Sequence, residues 1–284
     1  MAQFTNQAQL SYNNSVTNSN IAVGELLEVL SATKTAVIDT YVRNDNITYI
    51  ISIINSGTVP FTGLTVTDNL GAYTWNDTTL VPLSYVDGSV RYYVNGTLQP
   101  APTVTAEGTS LAISGINVPS AGNAIIVYET QANQYAPLDV DGTITNIASI
   151  SGGGITNTVT ADETVSTNDI PELTITKSVS PVPVSENGVL TYTFIIQNTG
   201  NTAADEAANV VITDTFNPIL SNLSVTLDGV ALPAGSYTYN EATGEFATVA
   251  GSITVPAATY TQDETAGYYV INPGVTTLVV SGTV

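Results

Sequence analysis

The chain has two lysines, and each sits among residues with which an amine could react. Lys34 lies in LSATKTAV and Lys177 in LTITKSVS; each precedes a tyrosine by 15 residues (Tyr49, Tyr192) and an asparagine by 21 (Asn55, Asn198). Strand alternation puts Lys177 on the face of Leu173, Ile175 and Val179, and Lys34 on that of Leu30, Ala32 and Ala36. The same parity turns Asn146 inward with Ile144, Ala148 and Ile150, Asn6 inward with Phe4, Ala8 and Leu10, and Asp68 and Asp214 inward after Leu64, Val66 and Val210, Ile212. A buried amine, amide and carboxylic acid can form an intramolecular amide bond. Desolvation lowers the lysine pKa and raises that of the aspartate, so a neutral amine attacks the asparagine side chain while the acid polarises its carbonyl and shuttles protons. Ammonia leaves and an isopeptide bond remains; the reaction happens once and needs no cofactor. The alternative for each lysine is a buried salt bridge to Asp68 or Asp214, with the asparagine capping the network.

The elements that must hold these groups are strands repeated in two copies. ITYIISIINSG (47–57) matches LTYTFIIQNTG (190–200), LTVTDNL (64–70) matches VVITDTF (210–216), and NAIIVYETQ (123–131) matches TTLVVSGTV (276–284). In that last match Glu129 faces Gly282, so Asp68 and Asp214, present in both copies, are the preferred acids. The first copy continues through ITNIASIS (144–151) and ITNTVTADETV into the second lysine strand. No such segment follows Val284, but FTNQAQLSY (4–12) and VTNSN (16–20) repeat it at the other end. Asn6 precedes Lys34 by 28 residues and Asn146 precedes Lys177 by 31. The expected layout is an all-β chain: an N-terminal donor-strand extension (1–24), a β-sandwich (25–168), and a second β-sandwich (169–284) lacking its last strand. Strand addition by Phe4, Ala8, Leu10 and Tyr12 of another copy would complete it. Lys34 then pairs with Asn146 within the chain, and Lys177 with Asn6 of the next subunit.

Composition narrows the rest. A formal net charge of −20, from 24 acidic against four basic residues, disfavours nucleic acid and anionic membrane as partners. Cysteine and histidine are absent, which excludes thiolate and imidazole chemistry, disulfides and Cys/His metal sites. Acidic pairs such as Asp139 and Asp141, Asp162 and Glu163, or Asp205 and Glu206 lack a calcium-loop spacing, and no cofactor or metal is expected. No paired-carboxylate motif suggests a glycosidase, so no turnover enzyme is expected. The asparagine-glycine turns read as backbone devices, and Tyr73 and Trp75 as a recognition loop, core packing or a lateral contact. Read as a native start, MAQFTNQAQL has neither a basic nor an apolar signal-peptide region, and no 18-residue apolar run follows.

The pattern TKS…LTYTF…NTGN…ITDTF…LVVSGTV resembles the DUF11 bacterial surface repeat, an Ig-like sandwich similar in style to Lys–Asn cross-linked adhesin and pilin domains. With two repeats in a permuted frame, the chain also resembles the major subunits of ribbon-like endospore appendages of anaerobic spore-forming bacteria. The resemblance implies two tandem Ig-like sandwiches, a lysine in the first strand paired with an asparagine in the last, and a homopolymer with spore or cell-surface anchor proteins as partners. It further implies a spore-surface or extracellular location, with synthesis in the mother cell. The rival expectation is a surface adhesin with intact, monomeric Ig-like domains.

Overall fold

Runs in which β-branched and aromatic residues alternate with polar ones become long strands, because the pleat sends successive side chains to opposite faces. Asn46–Asn55 buries Ile47, Tyr49, Ile51 and Ile53, and Val189–Asn198 buries Leu190, Tyr192, Phe194 and Ile196. The computed structural model describes residues 2–284, which are nearly all β, in sandwich-like sheets, with no α-helix among them.

In the first half, one sheet runs Thr97–Leu98, Arg91–Val94, Gly122–Ala132, Asn46–Asn55, Leu30–Ala36. The sheet facing it runs Thr103–Glu107, Ser110–Val118, Phe61–Asp68, Thr143–Gly152, Val159–Thr167 and ends on the short parallel strand Thr40–Tyr41. Their inner faces enclose a core around Tyr49, Ile51, Val66, Ile113, Ile126 and Tyr128. The second half repeats the first sheet as Leu173–Ser180, Val189–Asn198, Gly274–Thr283, Ser221–Leu227 and Val230–Ala231. Its facing sheet has, among the described residues, Thr213–Thr215, Glu245–Thr248 and Tyr237–Asn240, around a core of Phe194, Phe216, Phe246, Leu278 and Val280. Asp68's strand is paired on both sides, with Ser110–Val118 and Thr143–Gly152, whereas Asp214's strand has a partner on one side alone. Among the described residues, no counterpart of the pair Thr143–Gly152 and Val159–Thr167 covers the second half.

Residues 2–26 form a separate two-stranded ribbon: Ala2–Asn6 pairs with Ala22–Leu26, and Gln9–Tyr12 with Ser15–Asn18. Asn13 and Asn14, both at positive φ, make its two-residue turn. Nearly every described side chain of the ribbon is exposed, including Phe4, Leu10, Tyr12, Val16 and Val23.

Register corrects one sequence match. Gly122 opposes Asn55 and Gly274 opposes Asn198, so Tyr128 corresponds to Val280 and Glu129 to Ser281, one residue from the match that set Glu129 against Gly282. Each strand carries three adjacent aliphatic residues, Ile125, Ile126 and Val127 in one and Leu278, Val279 and Val280 in the other, so a slip of one still sets apolar residues against each other while exchanging the faces. The buried set is Ala124, Ile126, Tyr128 and Thr130, which turns Glu129 outward.

A hairpin, Thr259–Gln262 with Tyr269–Asn272, is inserted in the second half where the first has the short turn at 119–121. It crosses to the first half. Tyr260, Tyr269 and Ile271 pack on the first core, the Arg43 guanidinium donates to the Tyr269 carbonyl at 2.6 Å, and the Tyr269 N–H donates to the Gln134 carbonyl at 2.9 Å. Trp75 lies against Gly267, where a Cβ would fall 2.9 Å from its ring. Trp75 and Tyr73, which accepts from Gln262 Nε2 at 3.2 Å, therefore belong to this contact.

Candidate cross-linking site

Asp68 ends its strand beside a tight turn, and its Oδ1 accepts the Leu70 N–H at 2.8 Å. Its Oδ2 accepts from Lys34 Nζ and from the Tyr128 hydroxyl, each at 2.5 Å. The Lys34 and Asp68 side chains have 0% exposure. Lys34 Nζ lies 4.8 Å from the Tyr49 ring centroid and 6.0 Å from that of Tyr128, and the two rings stack at 5.8 Å. Burial pushes the lysine down from 10.5 to about 8, against the opposing charge of Asp68 and, more weakly, of Asp162 and Glu163. The amine is therefore partly neutral near physiological pH. Burial, reinforced by the Asp68 charge, pushes the Tyr128 phenol well up and keeps it a donor.

Asn146 enters the same pocket from the neighbouring strand, whose Ala148 pairs with Asp68. Its amide is fully buried, lies beside the Tyr49 and Tyr128 hydroxyls, and makes no hydrogen bond to the described residues through either Nδ2 or Oδ1. The Tyr49 hydroxyl is likewise without a partner. Buried polar groups are almost always paired, and each orphan costs about 1–3 kcal/mol. An amide held that way next to a depressed lysine and a carboxylate is a substrate arrangement as much as a structural one.

The second half holds the same lysine and acid in an open seam. Lys177 pairs with Asp214, whose Oδ1 accepts the Thr215 N–H at 2.8 Å. Their side chains are 41% and 17% exposed. Lys177 Nζ lies over the rings of Tyr192, Phe194 and Phe216 at 4.6, 5.5 and 5.7 Å. Every residue of Leu173–Ser180 is exposed, whereas the matching strand of the first half buries Lys34 and half-buries Leu30, Ala32 and Ala36 beneath Val159–Thr167. Asn6, Phe4, Ala8, Leu10 and Tyr12 lie on the ribbon and are exposed, and the ribbon's strands pair with one another. The structure thus brings Lys34, Asp68 and Asn146 together and leaves Lys177 and Asp214 without an amide.

Tyr128 escaped the sequence reading because the slipped match placed a serine opposite it; its parity with Ile126 and Ala124 was the available signal. The turn asparagines are backbone devices. Asn55 Nδ2 donates to the Val59 and Pro119 carbonyls, and Asn198 Nδ2 to those of Thr202 and Pro256, while each Oδ1 accepts a glycine N–H. Asp205 caps a short 3₁₀ turn through the Ala207 N–H, and no cluster of acidic residues among the described residues is placed to hold a metal. No helix among them is long and apolar enough to cross a membrane.

No family model and no curated protein sequence matches the chain. Among solved structures it is similar to the pilus backbone RrgB of Streptococcus pneumoniae, with 12% identity and a TM-score of 0.36 over 86% of this chain. The chain spans 55% of that structure's length. It is also similar to BcpA, the major pilin subunit of Bacillus cereus, with 10% identity, a TM-score of 0.36, and coverage of 96% of this chain and 73% of that one. A third similarity is to a collagen-binding domain from a Staphylococcus aureus adhesin, with 12% identity, a TM-score of 0.30, and coverage of 50% and 99%.

Proposed function

We propose that the chain is a structural subunit of a surface filament, joined head to tail by insertion of the N-terminal ribbon of one copy into the open seam of the second half of another. The observation that carries this is the ribbon. It repeats the sequence of the pair that covers Lys34, it is exposed on its apolar residues, and the half that lacks such a pair exposes Leu173, Ile175 and Val179 around Lys177. Seating Phe4 and Leu10 alone is worth about 1.5–3 kcal/mol each. A heterologous contact of this kind extends without closing unless its rotation makes a ring.

In this reading Lys34 attacks Asn146 Cγ within the chain, and Lys177 attacks Asn6 Cγ of the incoming ribbon. The Cγ–Nδ2 bond breaks, a Cγ–Nζ bond forms, and ammonia departs with a proton passed from the lysine through Asp68 or Asp214. Each bond forms once, so the chain is not a turnover enzyme. The fibre belongs on a cell or spore surface, in keeping with the surface-repeat resemblance of the sequence.

Size-exclusion chromatography and negative-stain microscopy of the intact chain beside one lacking residues 1–20 test the assembly. Polymers from the first and monomers from the second are expected; monomers from both overturn it and favour an adhesin. Boiled in SDS, assembled material should run as a ladder whose Lys177–Asn6 junction peptides lack one ammonia. Lys177→Ala should still polymerise but dissociate in denaturant.

A further inference from the structure

We propose that the Tyr128 hydroxyl is a positioning group for bond formation at the Lys34 site, and that the Lys177 site, built without it, forms its bond more slowly. This rests on the Lys–Asn reading above and adds an order to it: the internal bond first, the bond between copies later.

The two sites differ by a compensated exchange. At the first, a ring from the strand Gly122–Ala132 stacks on Tyr49 at 5.8 Å, with Leu70 following the acid. At the second, the residue matching Tyr128 is Val280, and the residue matching Leu70 is Phe216, whose ring stacks on Tyr192 at 4.8 Å. The ring stands at nearly the same distance from each lysine, 6.0 Å for Tyr128 and 5.7 Å for Phe216. Aromatic volume over the lysine is kept while its source moves from one sheet to the other. What disappears is the hydroxyl, and with it the 2.5 Å hydrogen bond to Asp68 Oδ2.

That bond has a use in the chemistry. Asp68 must hold Lys34 on one oxygen, then carry a proton from the attacking nitrogen to the departing Asn146 Nδ2. The Leu70 N–H fixes one carboxyl oxygen and Tyr128 fixes the other, so the carboxyl cannot turn away when the lysine moves onto Asn146 Cγ. Tyr128 also lies beside the amide itself. Asp214 has the Thr215 N–H and Lys177 alone. The ribbon brings no replacement, because Phe4, Asn6 and Ala8 carry no hydroxyl and Tyr12 lies six residues along from Asn6. If packing alone governed position 128, phenylalanine would fill it without burying a phenol. A slow second bond lets a badly seated ribbon dissociate before the joint becomes permanent.

Cell-free synthesis with timed intact-mass and peptide mass spectrometry reads each bond as the loss of one ammonia. Tyr128→Phe should slow the Lys34–Asn146 bond by roughly ten- to a hundredfold, the worth of one hydrogen bond to a charged group, while the near-UV spectrum of the folded chain is retained. The double variant F216L/V280Y transplants the first arrangement and should accelerate the Lys177–Asn6 bond in assembled material, a gain that a packing role would not produce. A Tyr128→Phe chain that cross-links at the wild-type rate, or a double variant that polymerises without acceleration, overturns the inference and leaves the Lys–Asn reading standing. Absence of ammonia loss at both wild-type sites overturns both.

Discussion

Replacing Asn146 by alanine should leave Lys34 as a free buried amine and make stability depend on pH in an unusual direction. A lysine held at about 8 when folded and at 10.5 when unfolded binds fewer protons in the folded state between those values. Stability therefore rises with pH across that window, and below it the buried ammonium carries its full penalty. Complete relief would come to a little over 3 kcal/mol, from a shift of about 2.5 pH units at 1.36 kcal/mol each. The usable part of the window ends near pH 9.5. Above it unfolded tyrosines ionise while buried Tyr41, Tyr49 and Tyr128, all pushed up by desolvation, keep their protons and reverse the slope. Between pH 8 and about 9.5 the lysine alone should contribute roughly 1.5 kcal/mol. The assay is urea unfolding of Asn146→Ala at several pH values, beside the double variant K34M/N146A, which carries every other titrating group. The difference between their slopes isolates Lys34. Equal slopes, or a steeper fall for the variant that retains the lysine, would refute the claim that desolvation outweighs Asp68. If the proposed Lys34–Asn146 bond consumes the amine, the wild-type chain should show no such lysine contribution.

Two further outcomes follow from contacts described above. Asn198→Ala strands the Thr202 and Pro256 carbonyls and the Glu172 and Gly200 N–H groups. It should cost about 2–4 kcal/mol in chemical denaturation, as several lost hydrogen bonds require; a loss below about 1 kcal/mol would mean water replaces them. Tyr260→Ala removes a ring packed on the first core and the 2.7 Å bond from its hydroxyl to the Thr199 carbonyl. Calorimetry should then resolve separate melting of the two halves, and an unchanged profile would show that the hairpin does not couple them.

The strands and their facing were legible because the alternation is strong: Ile47, Tyr49, Ile51 and Ile53, or Leu190, Tyr192 and Phe194, admit one buried face. The inward parity of Lys34, Asp68 and Asn146 followed from the same rule, since a polar residue between apolar neighbours two positions away has nowhere else to point. The rule weakens where both faces carry small residues. In Gly274–Thr283 the buried set includes Gly274, Thr276 and Gly282, so hydrophobicity does not fix the register; the ladder to Asn198 does. The hairpin Thr259–Asn272 was invisible for a different reason. Its apolar residues serve a surface on the other half, and a repeat comparison sees an insertion only as a gap.

That hairpin gives the two ends of the molecule different mechanics. It braces the passage from the first half to the second at several points, while the passage from the ribbon into the first half, across Leu27, Glu28 and Val29, is tied at two places among the described residues: the Val29 carbonyl accepts the Ser56 N–H at 2.8 Å, and the Glu28 carboxylate accepts from Asn157 Nδ2 at 2.6 Å. Chains linked through their ribbons would then alternate a stiff span with a compliant hinge once per subunit. Such a fibre yields to bending at the joints between molecules and spares the braced spans within them.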